Sequence, residues 1–275
     1  MRIRSAESAQ PGADCGVVSA GNGAQNRVRA WPASGGVCVV MATEAERPAP
    51  GRLPQGLRVY AIGDVHGCAA RLGDLHRRIA EDWQSRPAER CAIIHLGDYV
   101  DRGPDSAAVI EALLGPGPVA EAERVLLRGN HEAMMLDGLQ GGPGSLAEDL
   151  WLWNGGDATL ASYGARDAGF TPPPAHLALL RATTLQWQAG DYLFVHAGID
   201  PRRSLDAQRS QDLLWIREPF LSWPRAFPRV VVHGHTPSRA PELRPNRIGI
   251  DTGAVGGGAL TCLVLQEAAL RFLSA

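Results

Sequence analysis

Aspartate, histidine and asparagine recur at the ends of apolar runs in this 275-residue chain. Five short motifs carry them: Gly63-Asp64-Val65-His66-Gly67, Gly97-Asp98-Tyr99-Val100-Asp101-Arg102-Gly103, Gly129-Asn130-His131-Glu132, Val195-His196-Ala197-Gly198 and Gly234-His235-Thr236-Pro237. Carboxylate, imidazole and amide oxygen donors are the ligand types that hold divalent metals. Asp64 and His66 lie two apart at a strand end, where an extended chain points both side chains the same way. They are assigned to one ion. Asn130, His196 and His235 are assigned to a second, and Asp98 is shared through its two oxygens. A mixed N/O set without thiolates suits Mn, Fe or Zn better than Ca, with Mn first. His131 is left over for proton transfer. The chemistry this set supports is hydrolysis of phosphate esters across two metals.

These residues must be positioned by elements that end where the motifs begin. Leu57–Ile62 reads as a strand, followed by a helix over Arg71–Glu81. Cys91–Leu96 runs into the second motif, ahead of a helix near Ser106–Leu114. Val125–Leu127 runs into the third, which opens a helix over Glu132–Leu139. Strand, polar motif and helix in repetition predict an α/β sheet with ligands gathered at strand C-termini. The second half reads as Leu185–Gln188, Tyr192–Val195, Arg229–His233, Arg247–Ile250, Leu260–Leu265 and Leu270–Leu273, strands with little helix between them. It is therefore expected to be the more antiparallel half. The fold class is α/β: two mixed sheets facing each other as a sandwich, helices outside, and the metal site between their edges.

Residues 1–56 are rich in Gly, Ala, Ser and Pro and lack sustained periodicity, so they read as a disordered extension. Met41 is an alternative start. Residues 57–275 form the catalytic domain, with residues 141–174, rich in Gly, Trp and Pro, as a cap. Apolar residues make up 45 % of the chain and the formal net charge is −2. With no polybasic run, neither a nucleic-acid polymer nor a membrane is an expected partner. Five cysteines without a Cys-x-x-Cys pair fit a reducing compartment. The N-terminus lacks the apolar centre of a secretory signal, so cytoplasm is the expected location.

The motif series resembles the phosphoprotein phosphatase branch of the calcineurin-like metallophosphoesterases, above all its bacterial serine/threonine-specific members, over residues 57–265. The resemblance implies direct hydrolysis with two divalent ions activating water, and the family's ligand roles fall on the same six residues. It also makes His131 the general acid, Asp101 its orienting partner, and Arg102 a bidentate phosphate clamp. Leu214-Trp215-Ile216-Arg217 resembles the segment that supplies a second phosphate arginine, which nominates Arg217. The Ser-Ala-Pro-Asn-Tyr segment of eukaryotic members is missing. Ile250-Asp251-Thr252-Gly253-Ala254 and the following glycines also resemble diadenosine tetraphosphatases. The implied substrate is a phosphorylated protein; a nucleotide or polyphosphate is the alternative. Asp101 and Glu132 favour the former, since the resemblance implies that tetraphosphatases lack that Asp and carry Asp after the His. A non-catalytic scaffold that recognises phosphorylated partners should have lost a ligand or the proton donor, and none is lost.

Other residues carry plainer expectations. His95 and His233 read as core histidines, His76 and His176 as surface ones. Trp151, Trp153 and Tyr163 read as core under the cap, Asp251 as structural support, and Cys68 as a packing residue.

Overall fold

The computed structural model describes residues 38–39, 45–165 and 169–275. In chain order the elements begin with β1 (Cys38–Val39), β2 (Arg47–Pro48), β3 (Leu57–Ile62), α1 (Ala69–Ser85), β4 (Arg90–His95), α2 (Ser106–Leu114) and β5 (Glu123–Leu126). Then come α3 (Asn130–Gly141), α4 (Leu146–Trp151), a π-turn (Leu152–Gly156), α5 (Asp157–Ser162) and α6 (Pro174–Ala182). The remainder is β6 (Gln186–Ala189), β7 (Tyr192–Val195), α7 (Ser210–Trp215), β8 (Val230–His233), β9 (Glu242–Leu243), β10 (Arg247–Gly249), β11 (Thr261–Gln266) and β12 (Ala269–Ser274).

Two sheets form, in the orders β2-β12-β11-β3-β4-β5 and β1-β9-β10-β8-β7-β6. Alternation along β3 shows how they stack. Val59 and Ala61 point into a core shared with Phe194, Val232 and Ile248 of the other sheet. Tyr60 and Ile62 point the other way, onto Leu72, Leu75 and Ile79 of α1 and Val109 of α2. Every residue of β3 is buried because both of its faces are covered. The outer face of the second sheet is closed by Leu213 of α7 and by Phe220, packed on Leu193, Val195 and Val231. The α/β sandwich expected from the periodicity is thus the observed architecture.

The second half is the more antiparallel one, as expected, but the centre of its sheet is parallel. β7, β8 and β10 run parallel, and only β6 and β9 reverse direction beside them. The long segment between β7 and β8 carries α7, which gives room for the crossover a parallel pair needs. The β11–β12 hairpin does not join this sheet; β11 pairs antiparallel with β3 in the first one.

The end of the N-terminal extension is folded rather than disordered. Arg47–Pro48 pairs with β12, Leu53 is 5 % exposed, and the Gly51 N–H donates to the Tyr192 hydroxyl at 3.1 Å. Cys38–Val39 pairs with β9. The rest of the extension lies outside the described residues. Too little of it is apolar to show as a core pattern; β12 and β9 supply the edges that residues 47–48 and 38–39 complete.

Candidate metal centre and active site

Parallel pairing brings the motifs together. Ile62 stands opposite His95 and His95 opposite Leu126, so the chain leaves β3, β4 and β5 side by side. Phe194 opposite Val232 does the same for β7 and β8. The loops then bond to one another: Val65 and His66 donate to the Asp98 carbonyl, and Gly234 to the His196 carbonyl at 2.8 Å.

The side chains converge on Asp98, 2 % exposed. Its Oδ2 is 3.4 Å from His66 Nε2 and its Oδ1 3.4 Å from His196 Nε2, so the carboxylate faces a donor on each side. Asn130 Oδ1 lies 2.9 Å from both His196 Nε2 and His235 Nδ1. Asp64 accepts the His235 N–H on Oδ2 at 3.0 Å, while its Oδ1 is buried without a partner. His66 Nδ1 is 2.9 Å from the Val100 carbonyl and His196 Nδ1 2.9 Å from that of Leu96. A ring nitrogen held on a carbonyl keeps its proton there and turns the other lone pair to the centre. Asp64 and His66 are not aligned by strand alternation, as the sequence suggested. β3 ends at Ile62, and His66 is brought round by a left-handed backbone, φ 43°.

Burial makes the centre short of positive charge. It drives Asp64 well above the usual carboxylate range, with the Asp251 and Asp98 charges adding to the effect. Burial also works against the Asp98 anion, but the imidazoles of His196, His131 and His66 hold that carboxyl well below its usual range. Desolvation lowers His196, and it lowers His235 to about 3 with help from His196 and Arg217, so both imidazoles are neutral donors. Clustered buried carboxylates, neutral imidazoles and an unpartnered Asp64 oxygen are the donor set a cation completes. The backbone is shaped for it too. A Cβ on Gly234 would stand 2.0 Å from Asp64 Oδ1, and one on Gly129 2.1 Å from Asp98 Oδ1.

Beside the centre His131 and Asp101 form a buried pair. His131 Nδ1 is 2.7 Å from Asp101 Oδ2, both residues are fully buried, and His131 Nε2 is unpartnered. The His131 ring meets that of His66 edge-on, centroids 4.7 Å apart. Arg102 is at the exposed rim, its Nη1 2.9 Å from His66 Nε2. Arg217 is exposed just beyond α7, close enough for its charge to act on His235.

A family model for the calcineurin-like phosphoesterases matches residues 57–256. The chain belongs to that family. It is 31 % identical to serine/threonine-protein phosphatase 1 of Salmonella typhimurium strain LT2 over 223 residues, 76 % of this chain and 92 % of that protein. It is 25 % identical to an asymmetrical bis(5'-nucleosyl)-tetraphosphatase of Geobacillus sp. strain WCH70, over 77 % of this chain and 91 % of that one. The fold is similar to a solved cold-active protein-tyrosine phosphatase of a psychrophilic Shewanella species, with a TM-score of 0.52, 18 % identity, and 82 % and 83 % of the two chains covered. This calcineurin-like phosphoesterase is therefore a hydrolase of phosphate esters. Its family uses a dinuclear divalent-metal site, and the cluster around Asp98 fits one.

In this phosphoesterase Glu132 does work that its sequence position did not reveal. Its Oε2 accepts the N–H groups of Asp98 and Gly129, each at 2.8 Å, and its Oε1 those of Tyr99 at 2.7 Å and Val100 at 3.3 Å. One carboxylate thereby pins the Asp98 loop to the start of α3. Burial and the Asp98 charge push it up to about 7, against the N–H donors. Trp151 and Thr159 also reach the site, both bonding Asp101. Only three-dimensional contact identifies them.

The remaining histidines and aromatics divide. His233 is a core residue, as expected, between the Gly234 carbonyl and Arg247. His176 is buried, not at the surface, between the Tyr163 hydroxyl at 2.7 Å and Glu111 at 2.8 Å. It stands in α6 among prolines, alanines and leucines, and its inward turn with Leu180 shows only in the fold. His76 is partly buried, 3.2 Å from His95. Trp153 is 89 % exposed rather than core.

Proposed function

We propose that this chain is a serine/threonine phosphoprotein phosphatase with two divalent ions, Mn first and Fe or Zn accepting the same donors. One ion is held by Asp64 and His66, the other by Asn130, His196 and His235, with Asp98 between them. The observation that carries the reading is the His131–Asp101 pair, 2.7 Å apart, with His131 Nε2 open beside the Asp98 cluster. When bound, two divalent ions supply the Lewis acidity that activates water and phosphate. His131 Nε2 gives its proton to the departing alkoxide oxygen of serine or threonine. Asp101 holds the opposite ring nitrogen and stabilises the imidazolium before transfer. Arg102 forks onto two phosphate oxygens, a planar match that lysine lacks, and Arg217 reaches them from α7. The similarity to a bacterial serine/threonine phosphatase supports a phosphoprotein as partner. Three free thiols among the described residues support a reducing, cytoplasmic setting.

Similarity to a bis(5'-nucleosyl)-tetraphosphatase and the Asp251-Thr252-Gly253 turn favour a second reading, hydrolysis of a dinucleoside polyphosphate. Phosphate release by the Mn-loaded protein separates the two, with a phosphothreonine peptide and diadenosine tetraphosphate at matched concentrations. Preference for the peptide is expected. Preference for the dinucleotide would move the substrate and leave every residue role in force.

A further inference from the structure

The segment from α4 to α5 does more than lie beside the site. Asp101 and Arg102 are consecutive left-handed residues, φ 71° and 68°, a backbone that side chains other than glycine rarely adopt and that needs support. The support comes from this segment. Arg102 donates its N–H to the Gly155 carbonyl at 3.0 Å, and Asp101 donates its own to Thr159 Oγ1 at 2.8 Å. Thr159 Oγ1 in turn lies 2.7 Å from Asp101 Oδ1, and Trp151 Nε1 donates to the same oxygen at 2.9 Å. An indole nitrogen can only donate, so its role here is unambiguous. Oδ1 is thus occupied from two directions, the carboxylate cannot rotate, and Oδ2 is the oxygen left for His131 Nδ1. Trp151 is 2 % exposed and Thr159 fully buried, so water does not compete for these bonds.

We infer that Trp151 and Thr159 are positioning residues for proton transfer: by fixing Asp101 they aim His131 at the leaving oxygen. The inference rests on His131 being the general acid. A role in folding alone would affect all substrates alike, whereas a role in proton donation tracks the leaving group. A nitrophenolate departs without a proton; an alkoxide does not.

The test uses full-length, Mn-loaded protein and two esters, p-nitrophenyl phosphate and a phosphothreonine peptide. Thr159→Val removes the hydroxyl at constant shape, and Trp151→Phe removes the indole N–H while keeping the ring in place. Each is expected to lower kcat on the peptide on the order of tenfold and on p-nitrophenyl phosphate less than about twofold, with KM and metal content unchanged. Thr159→Ser, which restores the hydroxyl, should restore the peptide rate. Trp151→Phe carries the test if Thr159→Val does not fold. Equal losses on both esters, or no loss on either with two metals bound, would overturn the positioning role. His131→Ala is the control: if it too loses both esters equally, the acid assignment fails and the positioning role falls with it. If its loss is leaving-group-selective and that of the Trp151 and Thr159 variants is not, only the positioning role fails.

Discussion

At the scale of single residues the proposed roles divide between holding metal and donating a proton, although His131 lies within reach of the His66 and Asp98 ligand atoms. His131 touches Asp101 through one nitrogen and has the other unpartnered, whereas Asp98 stands between His66 and His196. His131→Ala should therefore lower kcat on an alkyl phosphate about 100-fold or more while metal content, read by elemental analysis, stays at the wild-type value. Loss of metal in that variant would assign His131 to the wrong group. Asp98→Asn is expected to do the opposite: both ions weaken together, because an amide offers one oxygen where the carboxylate offers two. Of the non-glycine residues with positive φ among the described residues, all but Glu267 belong to this site: His66, Asp98, Asp101, Arg102 and His235. Strain of that kind costs on the order of 1–3 kcal/mol per residue and persists where the surroundings impose it.

At the scale of elements, one helix start holds one loop. Glu132, in the first turn of α3, caps the N–H groups of Asp98, Tyr99, Val100 and Gly129. Glu132→Ala would leave those donors buried without partners, at about 1–3 kcal/mol for each that stays unsatisfied. Urea unfolding should show a stability loss of at least about 3 kcal/mol, and Mn affinity should fall with it, since the loop carries Asp98. The pairing of α1 with β4 gives a second, separate handle. His76 of α1 lies 3.2 Å from His95 of β4; burial lowers His76 from 6.5 to about 4 and His95 well below 6.5. The folded pKa lies below the unfolded one, so this contribution to stability is whole above pH 6.5 and is lost as pH falls towards 4. His76→Gln keeps a side chain that can bond His95 and lacks the titration. The stability cost of that change, measured by urea unfolding, should shrink between pH 6.5 and 5, by at most about 1.4 kcal/mol per pH unit. A cost independent of pH would mean that folding does not shift the His76 pKa.

At the scale of the whole molecule, buried carboxylates from one sheet meet imidazoles from the other at one end of the sandwich. Asp64 follows β3 and Asp98 follows β4 in the first sheet; His196 and His235 follow β7 and β8 in the second. An ion held by these residues would tie the two sheets together, and its binding would be linked to folding. Titrating Mn into chelator-treated protein should raise Tm, by about 2.7 kcal/mol of stability at one hundred times the dissociation constant. Asp98→Asn should abolish most of that rise. None of the described helices is long and apolar enough to cross a membrane.

Much of this was legible in the chain. Asp64, His66, Asp98, Asn130, His196 and His235 were readable because each sits just past an apolar run, and parallel strands ending side by side leave their next residues nowhere to go but together. The sandwich was readable from apolar runs such as Leu57–Ile62 alternating with helical segments, the pattern of strands covered on both faces. Tertiary structure alone decided the rest. Whether β7, β8 and β10 run parallel depends on where the crossover through α7 packs, and residues 47–48 become a strand only because β12 offers an edge. Trp151 and Thr159 look like ordinary helix residues until a fold brings them 50 and 58 positions back along the chain to Asp101. Local sequence sets which groups a loop presents; which distant donor reaches them is settled only by packing.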